Sequence, residues 1–146
     1  MGIKRDAADK HFSDCVRERA EWTCEYSGLV DPDGQARGVS RIMECAHIYG
    51  RRNKNIRWHP FNDFCLSHTA HRYLTENPME FSTFVKLKLG IGQYDLLLER
   101  KNDLSIKYSK EERKKKIPAH YREEFKRLRK LREQGTTGRI EFIGYD

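Results

Sequence analysis

At 146 residues the chain has the length of one domain with a modest core. Its 29 Lys and Arg outnumber 22 Asp and Glu, and the resulting +7 formal charge and pI near 9.3 favour a polyanionic partner. No apolar run approaches the roughly 20 residues that a membrane span needs, so no membrane partner is expected.

The opening residues, MGIKRDAADK, lack the apolar stretch of a secretory signal, and Asp6 stands where a myristoylation pattern wants Ser or Thr. A cytoplasmic location is therefore expected, that of the bacterial host cell if the chain is phage-encoded. Cys15, Cys24, Cys45 and Cys65 are spread singly, which suits reduced thiols rather than a disulfide framework.

In chain order, Phe12, Cys15, Val16 and Arg19 share one face of a helix predicted over 9–20, and Trp22 after it is a core candidate. Residues 31–38, DPDGQARG, have the composition of a turn or exposed loop. Arg41–Tyr49 alternates as a strand should, and Asn62–Leu66 fits a second strand. The polar GRRNKNIRWHP between them is expected as a loop over the site. A helix should run from near Ser67 into Leu74. Asn77, Pro78 and Glu80 then predict the cap, first position and third position of a further helix, with Phe81, Phe84, Val85 and Lys88 at helical spacing and Gly90 as its stop. A short helix over Gln93–Lys101 carries Tyr94, Leu97 and Leu98. Residues 102–117 are expected as a linker or solvated helix, and Pro118 as the start of a last helix with Tyr121, Phe125, Leu128 and Leu131 on one side. The run Arg139–Ile143 is strand-like.

The stretch Glu44–Tyr73 carries the chemistry. His47 is followed by Asn62 fifteen residues later and by His71 nine residues after that, with Arg51, Arg52, Lys54, Arg57 and Arg72 among them. Groups able to hold a metal or take a proton, interleaved with phosphate-seeking cations, point to hydrolysis of a nucleic-acid backbone. Arg51–Arg57 is the natural phosphate clamp. Trp58 beside it either belongs to the core or stacks on a base.

This spacing resembles the HNH endonuclease family. CAHIYGRRNKNIRWHPFND followed by HRYLTENP is similar to phage HNH proteins, including those of the NinG/Rap recombination type. The resemblance covers roughly residues 12–90. It implies an α+β fold, a mainly helical small domain around a ββα-metal core at 41–76. The nuclease domain is placed over 1–101, and the residues beyond the resemblance read as a basic helical extension over 102–146. It also implies a DNA endonuclease acting on duplex or branched DNA, as a monomer or dimer, with one divalent metal, Mg²⁺ or Mn²⁺. His47 takes the family's general-base position and His71 its helix-borne ligand position; Asn62 either binds the metal or ties the loop so that His47 points correctly.

Two departures matter. Where the family often places Asp or His before the base, this chain has Ala46. The metal set is then His71, Asn62 and water, or recruits His68, with Cys45 as a third possibility. The family's structural zinc knuckle falls on Cys24, Ser27, Ser67 and Ala70, so a structural zinc is not expected. Either Trp22, Tyr26 and Phe64 close that gap by packing, or Cys24, Cys65 and His68 rebuild the site. Rival expectations are a catalytically weak nucleic-acid-binding module and an accessory of a phage recombination or packaging complex. The tail from Lys107 to Arg132 suits either a solvated helix or DNA contact, with Arg122, Arg129 and Arg132 facing outward.

Overall fold

Asp6 starts the first helix. Its carboxylate accepts the N–H of Asp9, and Asp9 accepts the N–H of Asp6 in return, so α1 forms over Ala7–Arg19. The computed structural model describes residues 2–146. α1 buries Ala8, Phe12, Cys15 and Val16. Glu21 and Trp22 then adopt positive φ, and the turn drops the Trp22 indole into the core with its Nε1 donating to Glu18. Residues 31–38 are not a loop. Asp31 accepts the N–H of Asp33, Pro32 opens a short helix α2 (Pro32–Arg37), and Gly38 closes it in the left-handed region. Gly34 is required there, because a Cβ would lie 2.7 Å from the Trp22 ring.

The two strands are β1 (Met43–His47) and β2 (Asp63–Ser67), paired antiparallel with His47 opposite Asp63 and Cys45 opposite Cys65. Alternation puts Cys45, His47, Asp63 and Cys65 on one face and Glu44, Ala46, Phe64 and Leu66 on the other. The Ser67 hydroxyl accepts the N–H of Ala70 and starts α3 (His68–Glu76) directly from the strand. Next comes α4 (Pro78–Asn102), broken at Gly90 (φ 78°, ψ 160°), so the expected stop is a kink between two halves. Asn77 is the N-cap of α4 as expected, but its side chain makes no capping bond; its amide donates to the Tyr73 carbonyl at the end of α3 instead.

Ser109 and Glu112 cap each other, and the chain winds through a wide turn over Glu112–Lys116 into α5 (Ile117–Glu133). Pro118 therefore sits within a helical run rather than starting one. The wide turn, with the Ile117 N–H reaching back to Glu112, makes room for the proline ring. The C-terminal segment takes up neither helix nor strand; the Ile140 N–H bonds the carbonyl of Arg19.

These elements make a small α+β fold with two apolar clusters. One packs Trp22, Phe64, Leu66, Leu74, Phe84 and Val85 between the sheet, α3 and α4. The other packs Phe12, Val16, Trp58, Ile117, Tyr121 and Leu128 between α1 and α5. Residues 102–146, expected as an extension, thus share a core with α1. Arg129 and Arg132 do not face outward: Arg129 donates to Glu18, and Arg132 to Glu21 and the Glu18 carbonyl. Arg122 is exposed. Among the described residues no helix is long and apolar enough to cross a membrane.

The loop after β1 is the largest departure from expectation. Arg57, expected on phosphate, is 2 % exposed: its Nε and Nη2 donate to Asp9 at 3.0 and 2.6 Å, and Trp58 Nε1 donates to the same carboxylate at 3.0 Å. Asn55 caps the end of α4 through the carbonyls of Arg100, Lys101 and Asp103. Burial alone would raise the Asp9 carboxyl, but Arg57 and the Asp6 backbone hold it below its usual value. Removing one member of a buried ion pair costs about 3–5 kcal/mol, because the other charge is left unpaired. Arg57→Ala should therefore lower the free energy of unfolding by an amount in that range, read from the midpoint and slope of a urea titration; a variant as stable as wild type would return Arg57 to the surface role.

Candidate active site

β1 delivers His47 to the lip of a cleft of about 430 Å³ lined also by Glu44, Cys45, His71, Asp9 and four arginines, Arg5, Arg17, Arg41 and Arg51. His47 and His71 border a second cleft of about 420 Å³ as well, walled by Tyr49, Phe81, Val85 and Tyr94. A larger hollow between α4 and the C-terminal segment contains neither histidine, and its Arg139 is spent on Glu25 and Glu141. The two histidines therefore mark the site.

Asp63, directly opposite His47 in the ladder, is wholly buried, and its Oδ1 takes His47 Nδ1. Burial disfavours the imidazolium, but the Asp63 carboxylate more than offsets this and raises the imidazole pKa. Burial likewise raises Asp63, with His47 acting against it. With Nδ1 held by the carboxylate, Nε2 is the nitrogen left to accept a proton. This is the arrangement by which a carboxylate fixes the tautomer and orientation of a catalytic histidine.

Asn62 has a different task from metal binding. It is wholly buried, its Oδ1 accepts the N–H of Tyr49 at 3.0 Å and its Nδ2 donates to the Tyr49 carbonyl at 2.9 Å. Both polar atoms are committed to the backbone just past His47. Asn62 is thus corrected from ligand to loop tie, the other role open to it.

On the opposite strand face, two residues before Ala46, stands Glu44. His71 Nδ1 lies 2.8 Å from one of its oxygens and His68 Nδ1 2.9 Å from the other. Partial burial works against ionisation of Glu44, yet the two imidazoles hold its carboxyl below the usual range. A carboxylate on the same face as Ala46 supplies the kind of oxygen donor a hard divalent ion takes, together with the His71 nitrogen and water. A second group, Cys45, His47 and Asp63, places one ligand atom each within 4.8 Å of one another and forms a possible metal-binding triad.

Of the cations predicted from sequence, Arg51 faces the first cleft, with its Nε 3.6 Å from Asp9. Arg52 and Lys54 are exposed, and Arg72 borders the Glu44–His68–His71 surface, where Glu76 lies 3.6 Å away. Arg5, Arg17 and Arg41 were not foreseen; they come from outside the 44–73 stretch. At the knuckle positions Ser27 donates its N–H to Cys24 Sγ and Ser67 caps α3. His68 is drawn to Glu44 rather than to Cys24 and Cys65. Trp22 and Phe64 are core, whereas Tyr26 stacks half-exposed on Tyr73, both hydroxyls on Glu80. No family model, curated protein or solved structure matches this chain.

Histidine NMR tests the central pair. The His47 midpoint should lie above the ordinary value near 6.5, and Asp63→Asn should move it down, since the carboxylate that favours the imidazolium is gone. An unchanged midpoint in a folded variant would mean the two side chains do not interact.

Proposed function

We propose that this chain is a metal-dependent DNA endonuclease of the ββα-metal (HNH) type. The observation that carries the proposal is one cleft in which an Asp-held imidazole, a carboxylate–imidazole pair and four arginines converge. The order β1–β2–α3, with His47 at the end of the first strand and His71 on the helix, supports the resemblance on which the type rests. Arg41, Arg51 and Arg5 hold the backbone phosphates in the cleft, Arg17 beside them being paired with Asp14, and exposed Arg52, Lys54 and Arg72 extend the positive surface.

His47 Nε2 takes the proton of the attacking water, and Asp63 keeps Nδ1 occupied so that the imidazolium formed is stabilised. Asn62 holds the backbone after His47 so that the ring stays aimed at the cleft. Arginine charge offsets the charge that grows on the phosphoryl oxygens. A divalent ion, Mg²⁺ or Mn²⁺, would be held by Glu44 and His71, with His68 on the same carboxylate; such an ion supplies Lewis-acid stabilisation of the phosphoryl group and leaving oxygen.

The test is digestion of supercoiled plasmid and of a branched duplex with Mg²⁺, Mn²⁺ or no metal. Cutting should require the metal. His47→Ala should lower it by roughly 10²–10⁴-fold, the usual worth of a general base, while binding persists. Glu44→Ala should raise the metal concentration needed for half-maximal cutting. Salt-sensitive binding with no cutting by any divalent ion would make the chain a binding module instead, and a His47→Ala rate within about threefold of wild type would remove His47 from the chemistry.

A further inference from the structure

The cross-strand register leaves one feature that phosphodiester hydrolysis does not use. Cys45 lies two residues before His47 on the same sheet face, and Asp63 is opposite His47. Cys45 Sγ sits 3.5 Å from Asp63 Oδ1. Asp63 is 0 % exposed, and its Oδ2 has no hydrogen-bond partner among the described residues. An orphaned carboxylate oxygen in a protein interior is costly and calls for a missing partner, a water or an ion.

The geometry points to a zinc site formed by Cys45 Sγ, His47 Nδ1 and Asp63, whose occupation switches the proposed nuclease off. Thiolate, imidazole and carboxylate form a donor set that Zn²⁺ accepts and that Mg²⁺ and Mn²⁺ do not select, because the hard ions avoid sulfur. Three protein ligands leave a fourth position for water, and the cleft that reaches Cys45 and His47 gives the ion a way in. Thiolate and carboxylate together carry two negative charges, which the ion neutralises beside Arg17 and Arg51 on the cleft wall. The site differs from the Glu44–His71 position in ligands and in sheet face.

The proton balance explains the inhibition. Binding releases the Cys45 thiol proton to solvent. The proton on His47 Nδ1 gives way to the ion, and the neutral ring carries its proton on Nε2 instead. That nitrogen then has no lone pair for the attacking water. Only this consequence rests on the nuclease proposal; the binding site itself does not.

The two are separated by measuring metal binding without DNA. Titrating the full chain with Co²⁺ should give a thiolate-to-cobalt charge-transfer band that saturates at one equivalent and is bleached by Zn²⁺. Cys45→Ala should lose the band. Nitrogen-detected histidine NMR of wild type should show His47 Nδ1 shifted by Zn²⁺ and its ring proton on Nε2, a readout independent of whether any variant folds. In the Mg²⁺-supported plasmid assay, Zn²⁺ should suppress cutting of wild type. Absence of a thiolate band, its persistence in folded Cys45→Ala, or zinc that moves His68 and His71 but leaves His47 Nδ1 unshifted would each overturn the site. A protein that binds cobalt through Cys45 yet cuts no DNA would keep the site and refute the nuclease.

Discussion

The pairing of Asp63 with His47 is the constraint around which this small sheet is arranged. A carboxylate with no solvent exposure must find partners inside the protein, and the ladder gives it the imidazole directly opposite. A one-residue slip of β2 would turn Asp63 into the apolar cluster and Phe64 towards His47, so the charge fixes register as firmly as the hydrophobic pattern does. Arg19 reinforces the arrangement from α1 by donating to the carbonyls of Pro60 and Asp63 at 2.7 Å each. Asn62, next to Asp63, fastens the other strand where it leaves His47. Three neighbouring polar residues thus set one ring.

Around that centre the fold spends its charges inward. The 50–60 loop is polar in composition yet well anchored, because Arg57 and Trp58 share Asp9 and Asn55 holds the end of α4. The same carboxylate that caps α1 therefore joins the loop to that helix. On the far side, Glu18 takes Trp22 and Arg129, tying α1 to the core and to α5. The net positive charge left at the surface is concentrated on fewer residues than the sequence suggests, and the arginines of the cleft wall count for more.

The strands, α3 and the start of α4 were legible because local signals agree there: alternation over Arg41–Tyr49, a Ser before a helical period, Asn-Pro-x-Glu after it. His47 and His71 were legible through their spacing. Glu44 and Asp63 were not, because a single sequence does not give strand register, and only register shows that Asp63 meets His47 while Glu44 shares a face with Ala46. Arg57 misled for a related reason: in a run of Arg, Lys and Asn it looks solvated, and its partner lies 48 positions earlier. α2 was missed although Asp31, Pro32 and Gly38 are its cap, first turn and stop, since Pro and Gly in a polar stretch also describe a turn. Arg139–Ile143 has strand composition but joins no ladder; it contacts α1, where the Ile140 N–H bonds the carbonyl of Arg19.

For the proposed nuclease, the pH dependence of DNA cutting by wild type and by Asp63→Asn examines the central claim most directly, since kcat/KM against pH reports the base of the free enzyme. With Asp63 holding His47, the acid limb of the wild-type profile follows the raised imidazole. Replacement by Asn should move that limb to lower pH and lower the plateau, because the ring gives up its proton more readily but is no longer held in the productive tautomer. Superimposable profiles, in a variant that folds and binds DNA as wild type does, would contradict the assignment of Asp63 as the residue that positions His47.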